Sequence, residues 1–303
     1  MNFETFARLV LNAAEEDQHE TPNYIPRKPM VVENPLGASI QQRFSSMKSF
    51  TDQFSVLLLD SSPKKQFVLK GDPSSGKSTE LRKIARQLHA ITTDEKAASS
   101  SLVHLCSIQN YTGDGSNVNN SDDLWDLIRQ SHQSEFLRDQ ENLSLDEFLK
   151  IHEAGNINAI LLIDTLDMLT YGVRSEDMEQ VSSAWLDLVS RFEDAPRLSV
   201  LWAVRPVEYA HLVGQSNPDL LEIELPKLAY VETRQKVSQC LKEYEVDLEV
   251  DRTFFIEILS NFVMLFPVTA RFLNANAKPN TAKHDLTLEL LNKLDEMFSR
   301  AID

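Results

Sequence analysis

One stretch constrains this chain more than any other. Phe67-Val68-Leu69 reads as a short apolar strand that runs through Lys70 into Gly71-Asp72-Pro73-Ser74-Ser75-Gly76-Lys77-Ser78-Thr79. Leu81, Ile84, Ala85 and Leu88 follow at the spacing of an amphipathic helix. Strand, loop and helix in that order match G-x-x-x-x-G-K-[ST], with Gly71 and Gly76 in the two required places. The chain has only eight glycines, so their placement is informative. Chemistry explains the spacing: glycines let backbone N–H groups curl around a phosphate, and the start of the helix presents more of them. Gly71, Asp72, Pro73, Ser74, Ser75, Gly76, Lys77, Ser78 and Thr79 are therefore the expected cradle for a nucleotide. Lys77 is expected to reach the β- and γ-phosphate oxygens and Ser78 to hold Mg²⁺.

A second element supports the first. Ala159-Ile160-Leu161-Leu162-Ile163-Asp164 is an apolar run ending in a carboxylate. An acid at the carboxyl end of a strand faces the ligand crevice of an α/β sheet, where Asp164 can share the Mg²⁺ with Ser78. Asp167 lies three residues further on and is expected to polarise an attacking water; capping the next helix is the alternative. Leu198 to Val204 forms another apolar run, ending at Arg205-Pro206. In such a sheet this strand lies between the other two, which brings Arg205 to the γ-phosphate. A surface ion pair is the alternative for Arg205.

Strands are expected at 66–70, 102–108, 158–164, 198–204 and 221–225. Their continuous hydrophobicity is what a parallel sheet buried on both faces requires. Helical patterns separate them, including one over 39–60, which gives a three-layer α/β fold of the P-loop NTPase kind. A helix at 3–14 and an extended lead-in make up residues 1–35, the α/β domain spans 36–227, and a small helical lid covers 228–303. The polar stretch 112–121 carries no assigned chemistry. With 42% hydrophobic residues among 303, the chain can build a core. Its net charge of −16 argues against a general nucleic-acid surface. Cys106 and Cys240 read as separate buried thiols of a reducing compartment. The start, Met1-Asn2-Phe3-Glu4-Thr5, lacks a secretory pattern, and no apolar run is long enough to span a membrane, so a cytoplasmic setting is expected.

Asp164-Thr165-Leu166-Asp167 resembles the second nucleotide motif of the NACHT and wider STAND signalling ATPases, relatives of the AAA+ proteins. Arg205-Pro206 looks like their sensor 1 arginine. Tyr24-Ile25-Pro26-Arg27 is similar to the segment that precedes their nucleotide domain, and Glu222 to Leu228 resembles their junction with the lid. Phe266-Pro267 falls where their base-contacting proline lies. The resemblance covers about residues 22–275. It implies an ATP- or ADP-binding, Mg²⁺-dependent ATPase with Arg27 and Pro267 beside the base. It further implies a switch whose nucleotide state controls a homo-oligomer or a separate effector or sensor chain, with antiphage signalling as a setting. Met168 replaces the second acid of the family's motif, which points to slow hydrolysis. The family's long sensor and effector domains have no counterpart, so the chain reads as a minimal ATPase with partner chains or as a fragment.

Other readings stay open. An AAA+-like assembly adaptor that scarcely hydrolyses ATP fits the same motifs. A small-molecule kinase needs a lid richer in arginine than Arg234, Arg252 and Arg271 provide. Asn292-Lys293-Leu294-Asp295 spells a guanine-specificity motif, yet it sits in an amphipathic helical pattern, which weighs against a GTPase. Arg174, Arg191 and Arg197 are equal candidates for an arginine finger.

Overall fold

The computed structural model describes residues 49–59, 66–72, 75–93, 101–108, 118–132, 134, 143–170, 173–174, 177–216 and 218–225. All except Ser75 and Gly76 belong to one compact unit. The expectations for residues 3–14, the lead-in, most of the polar stretch, the lid and the 292–295 segment lie outside the described residues. So do Arg27, Pro73, Ser74, Cys240 and Pro267.

Helix α1 (Phe50–Leu59) precedes strand β1 (Gln66–Lys70), and α2 (Lys77–Thr93) follows the glycine loop. Next come β2 (Ser101–Ser107), α3 (Ser121–Gln130), α4 (Leu145–Ala154) and β3 (Asn158–Asp164). A 3₁₀ turn (Leu166–Leu169) leads on to α5 (Met178–Glu193), β4 (Leu198–Val204), α6 (Pro206–Val213) and β5 (Leu221–Glu224). The expected helix over 39–60 is thus described only from Phe50 onward. The second strand begins one residue earlier than its apolar run suggested, and Ile108 turns out of it.

The five strands form one sheet in the order β2-β3-β4-β1-β5, and every pairing is parallel. Chain-adjacent β1 and β2 are therefore not neighbours: β3 and β4 separate them, as the sequence reading expected for β4. Alternate residues of each strand serve opposite faces. Phe67, Leu69, Val103, Leu105, Ile160, Leu162, Leu201 and Ala203 pack with Phe50, Phe54, Leu81, Ile84 and Leu88 of α1 and α2. Val68, Leu102, Cys106, Leu161, Ile163, Val200, Trp202 and Val204 pack with α3, α4, α5 and α6. Helices thus cover both faces, and that is why the strands carry apolar side chains at successive positions.

Local signals set the helix starts. Asn120 accepts from the backbone N–H groups of Asp122 and Asp123 at the head of α3. Ser144 and Glu147 form a reciprocal capping box on α4. On the second face, Trp202 stacks on Phe192 with centroids 5.7 Å apart, and its indole N–H donates to Gln66. Gln66 in turn donates to the Val189 carbonyl at 2.7 Å, which ties the start of β1 to α5.

Three histidines are buried in series on this face. Backbone N–H of Ser134 donates to His132 Nδ1, His132 Nε2 lies 3.1 Å from His104 Nδ1, and His104 Nε2 lies 3.1 Å from His152 Nε2. In the neutral chain this order fixes every tautomer: the proton sits on Nε2 of His132, Nε2 of His104 and Nδ1 of His152. Burial lowers the His104 pKa well below the usual histidine range, and the neighbouring rings lower it further. Burial alone takes His152 down to about 4.

Candidate functional site

The carboxyl ends of β1, β3 and β4 converge at the first turn of α2. Gly71 begins the loop directly after β1, and its N–H donates to the Val204 carbonyl at the end of β4, 3.3 Å away. Gly76 has φ of 90°, a left-handed conformation that a glycine adopts without strain. Helix α2 opens at Lys77, immediately after it, so the first-turn N–H groups have no acceptor within the helix itself. Lys77 is buried, and its Nζ donates to the carbonyls of Gly71 at 2.5 Å and Asp72 at 3.1 Å. Burial lowers its pKa, opposed chiefly by Asp167 and assisted by Arg205; Asp164 and Asp72 also oppose it.

Asp164 ends β3 and accepts from the Ser78 hydroxyl. Burial raises its pKa, while the Ser78 hydrogen bond, Arg82 and Lys77 act the other way and Asp167 adds to the rise. The chain then passes through Thr165 into the 3₁₀ turn, where Asp167 is held between the buried Leu166 and Leu169. Asp167 therefore caps no helix. Its Oδ2 is ion-paired with Arg205 Nε at 2.8 Å, and Arg205 Nη1 also lies 3.5 Å from Glu208. Of the alternatives weighed, the helix cap by Asp167 is not found, whereas Arg205 does form an ion pair, with the buried Asp167 as partner.

The structure thus gathers Gly71, Asp72, Lys77, Ser78, Asp164, Asp167 and Arg205 at one end of the sheet. A divalent cation with a phosphate chain suits this donor set. Two carboxylates and a serine hydroxyl stand beside a buried ammonium and a guanidinium, and burial makes the Asp164 carboxylate a group that gains from a nearby cation. Thr79 is half-buried in the same first helical turn, and Ser75 is half-buried in the loop.

Three residues were not singled out in the sequence. Ser107 ends β2 in register with Asp164, and its buried hydroxyl has no partner among the described residues. Only the strand register reveals it. Arg82 lies one turn into α2 from Lys77 and acts on Asp164; its spacing of four from Ser78 was the available signal. Thr165 takes φ 63° and ψ 40°, which nothing in the sequence announces.

Two of the three arginine-finger candidates lie elsewhere. Arg191 binds Asp122 at 2.6 Å and Asp146 at 3.3 Å, while Arg197 binds Asn156. With Ala159 and Leu198 they line a cavity of about 320 Å³ at the amino ends of β3 and β4, opposite the nucleotide loop. Cys106 is buried, and burial raises its thiol pKa. No helix among the described residues is long and apolar enough to cross a membrane.

No protein-family model matches the chain, and no curated protein matches it. Among solved structures it is similar to the Walker-type ATPase PABY2304 of Pyrococcus abyssi. That likeness has 15% identity over 82% of this chain and 74% of that one, with a TM-score of 0.49. It is also similar to the ORC2 protein of Aeropyrum pernix, solved as ADPNP–ADP complexes, with 14% identity, coverage of 94% and 72%, and a TM-score of 0.46. Caenorhabditis elegans PCH-2 is 12% identical over 83% of this chain and 68% of that one, with a TM-score of 0.41. With its parallel five-stranded sheet, helices on both faces and a glycine loop leading into α2, the chain has a three-layer α/β fold of the P-loop NTPase kind.

Proposed function

We propose that the protein is a Mg²⁺-dependent ATP-binding and slowly ATP-hydrolysing switch of the STAND and AAA+-like type, whose nucleotide state governs its own assembly or a partner chain. One observation carries the reading: Lys77, the Ser78–Asp164 hydrogen bond and the Asp167–Arg205 pair meet at the mouth of the glycine loop. Each group has a role there. Lys77 and the helix start bind the phosphates. Ser78 and Asp164 hold Mg²⁺, which neutralises phosphate charge when bound. Asp167 takes up a proton from water, and Arg205 pairs with the terminal phosphate. Arg27 and Pro267 are assigned to the base by the family resemblance alone, and so is the antiphage setting; the helical lid at 228–303 rests on the sequence pattern.

The test is light scattering with Mg·ADP and with a non-hydrolysable Mg·ATP analogue, beside phosphate release from ATP. A larger particle with the analogue, together with slow release, is the expected result. Lys77→Ala should lose both, with nucleotide affinity reduced by about tenfold or more, the loss of a charge-assisted phosphate contact. Assembly without measurable hydrolysis would favour the adaptor reading. A monomer under all conditions with rapid turnover would remove the switch.

A further inference from the structure

We infer that Arg205 and Asp167 form a latch, each holding the other away from its task until a nucleoside triphosphate separates them. The inference rests on the nucleotide reading above and concerns how that site is controlled. The Asp167 carboxylate that would accept a proton from water is ion-paired with Arg205, Oδ2 lying 2.8 Å from Nε. The guanidinium that would meet a terminal phosphate is likewise turned to Asp167 and, more loosely, to Glu208. Neither residue performs its own function while the pair stands.

The geometry also says which partner moves. Asp167 is fixed: its side chain is 6% exposed, and the 3₁₀ turn that carries it is anchored by fully buried Leu166 and Leu169. Arg205 is the adjustable one. It is the residue between β4 and α6, its side chain is 37% exposed, and its backbone is ordinary extended chain. A guanidinium has a planar fork that fits phosphate oxygens two at a time. A terminal phosphate carries more negative charge than one carboxylate and so competes for the fork. A diphosphate ends one group earlier and offers no such competitor. Tri- and diphosphate are therefore told apart by whether Arg205 leaves Asp167, and the same exchange frees Asp167 to accept a proton only when there is a phosphate to cleave.

Removing Asp167 could also tighten a triphosphate by simple loss of repulsion, so a double-mutant cycle is needed. Binding of a non-hydrolysable Mg·ATP analogue and of Mg·ADP would be measured by calorimetry on the full chain, on Asp167→Asn, on Arg205→Gln and on the double variant. The latch requires Asp167→Asn to tighten the analogue by about tenfold where Arg205 is present, within the usual range for coupled sites. ADP affinity should stay unchanged, and the gain should vanish in the Arg205→Gln background. An equal gain in both backgrounds, or no gain in either, overturns the latch while leaving the nucleotide reading intact. Failure of the unmodified chain to bind either nucleotide overturns that reading and the latch with it. Asp167→Ala takes the place of Asp167→Asn in the cycle if the latter does not fold.

Discussion

Between Asp164 and the turn that carries Asp167 stands a threonine in a conformation that β-branched residues avoid. Thr165 has φ of 63°, and its hydroxyl is buried with no partner among the described residues. A left-handed non-glycine residue costs about 1–2 kcal/mol, and a buried unpaired hydroxyl costs more. The surroundings impose both: the next residue, Leu166, is fully buried, and Asp167 is tied to Arg205. Thr165→Gly relieves the strain but loosens the unfolded chain by about 0.5–1 kcal/mol. The expected net change is stabilisation by up to about 1 kcal/mol, read from urea denaturation, where an unstrained site would lose stability. At this scale the sequence was only half legible. It presented Asp164, Asp167 and Arg205 as chemically capable residues, yet nothing in it joined Asp167 to Arg205. That pairing depends on the turn after β3 and on the side-by-side placement of β3 and β4.

Elements were more legible than residues, because a strand buried on both faces announces itself by unbroken hydrophobicity. All five expected strands are present, shifted at most by one residue. The histidine series was invisible for the opposite reason. His104, His132 and His152 come from β2, the end of α3 and α4, and no local spacing links them. Their burial makes an acid prediction. The pKa values of His104 and His152 are lower in the folded chain than in the unfolded one, so the unfolded chain binds protons first as the pH falls. Stability is therefore full above about pH 6.5, the unfolded histidine value, and declines between there and about 4, the folded His152 value. His152 alone accounts for about 2 kcal/mol at pH 5, by the usual 1.36 kcal/mol per unit. Denaturation midpoints at pH 7 and pH 5 would show this loss, and His152→Phe should narrow the gap between them by the His152 share, leaving the part that His104 contributes. Protonation also reverses the donor order of the whole series, so the loss should be cooperative.

For the whole molecule, strand order has the widest effect. Chain order alone would set β1 beside β2, whereas β4 lies between β1 and β3 and is bonded to both along its length. The glycine loop, the Asp164 carboxylate and Arg205 thus hang from three strands laced into one unit. Free energy released or absorbed at the phosphates cannot spread by sliding one strand past another, because each slip breaks two ladders at once. It must be expressed in the described connections that follow β1 and β3, at 71–72 and 165–170. In amide exchange with deuterated water, the interiors of β1, β3 and β4 should therefore exchange only on global unfolding. The two connections should exchange orders of magnitude faster and slow selectively when a triphosphate binds. A sheet built this way works as a rigid bench, and the clock of the protein runs in its turns.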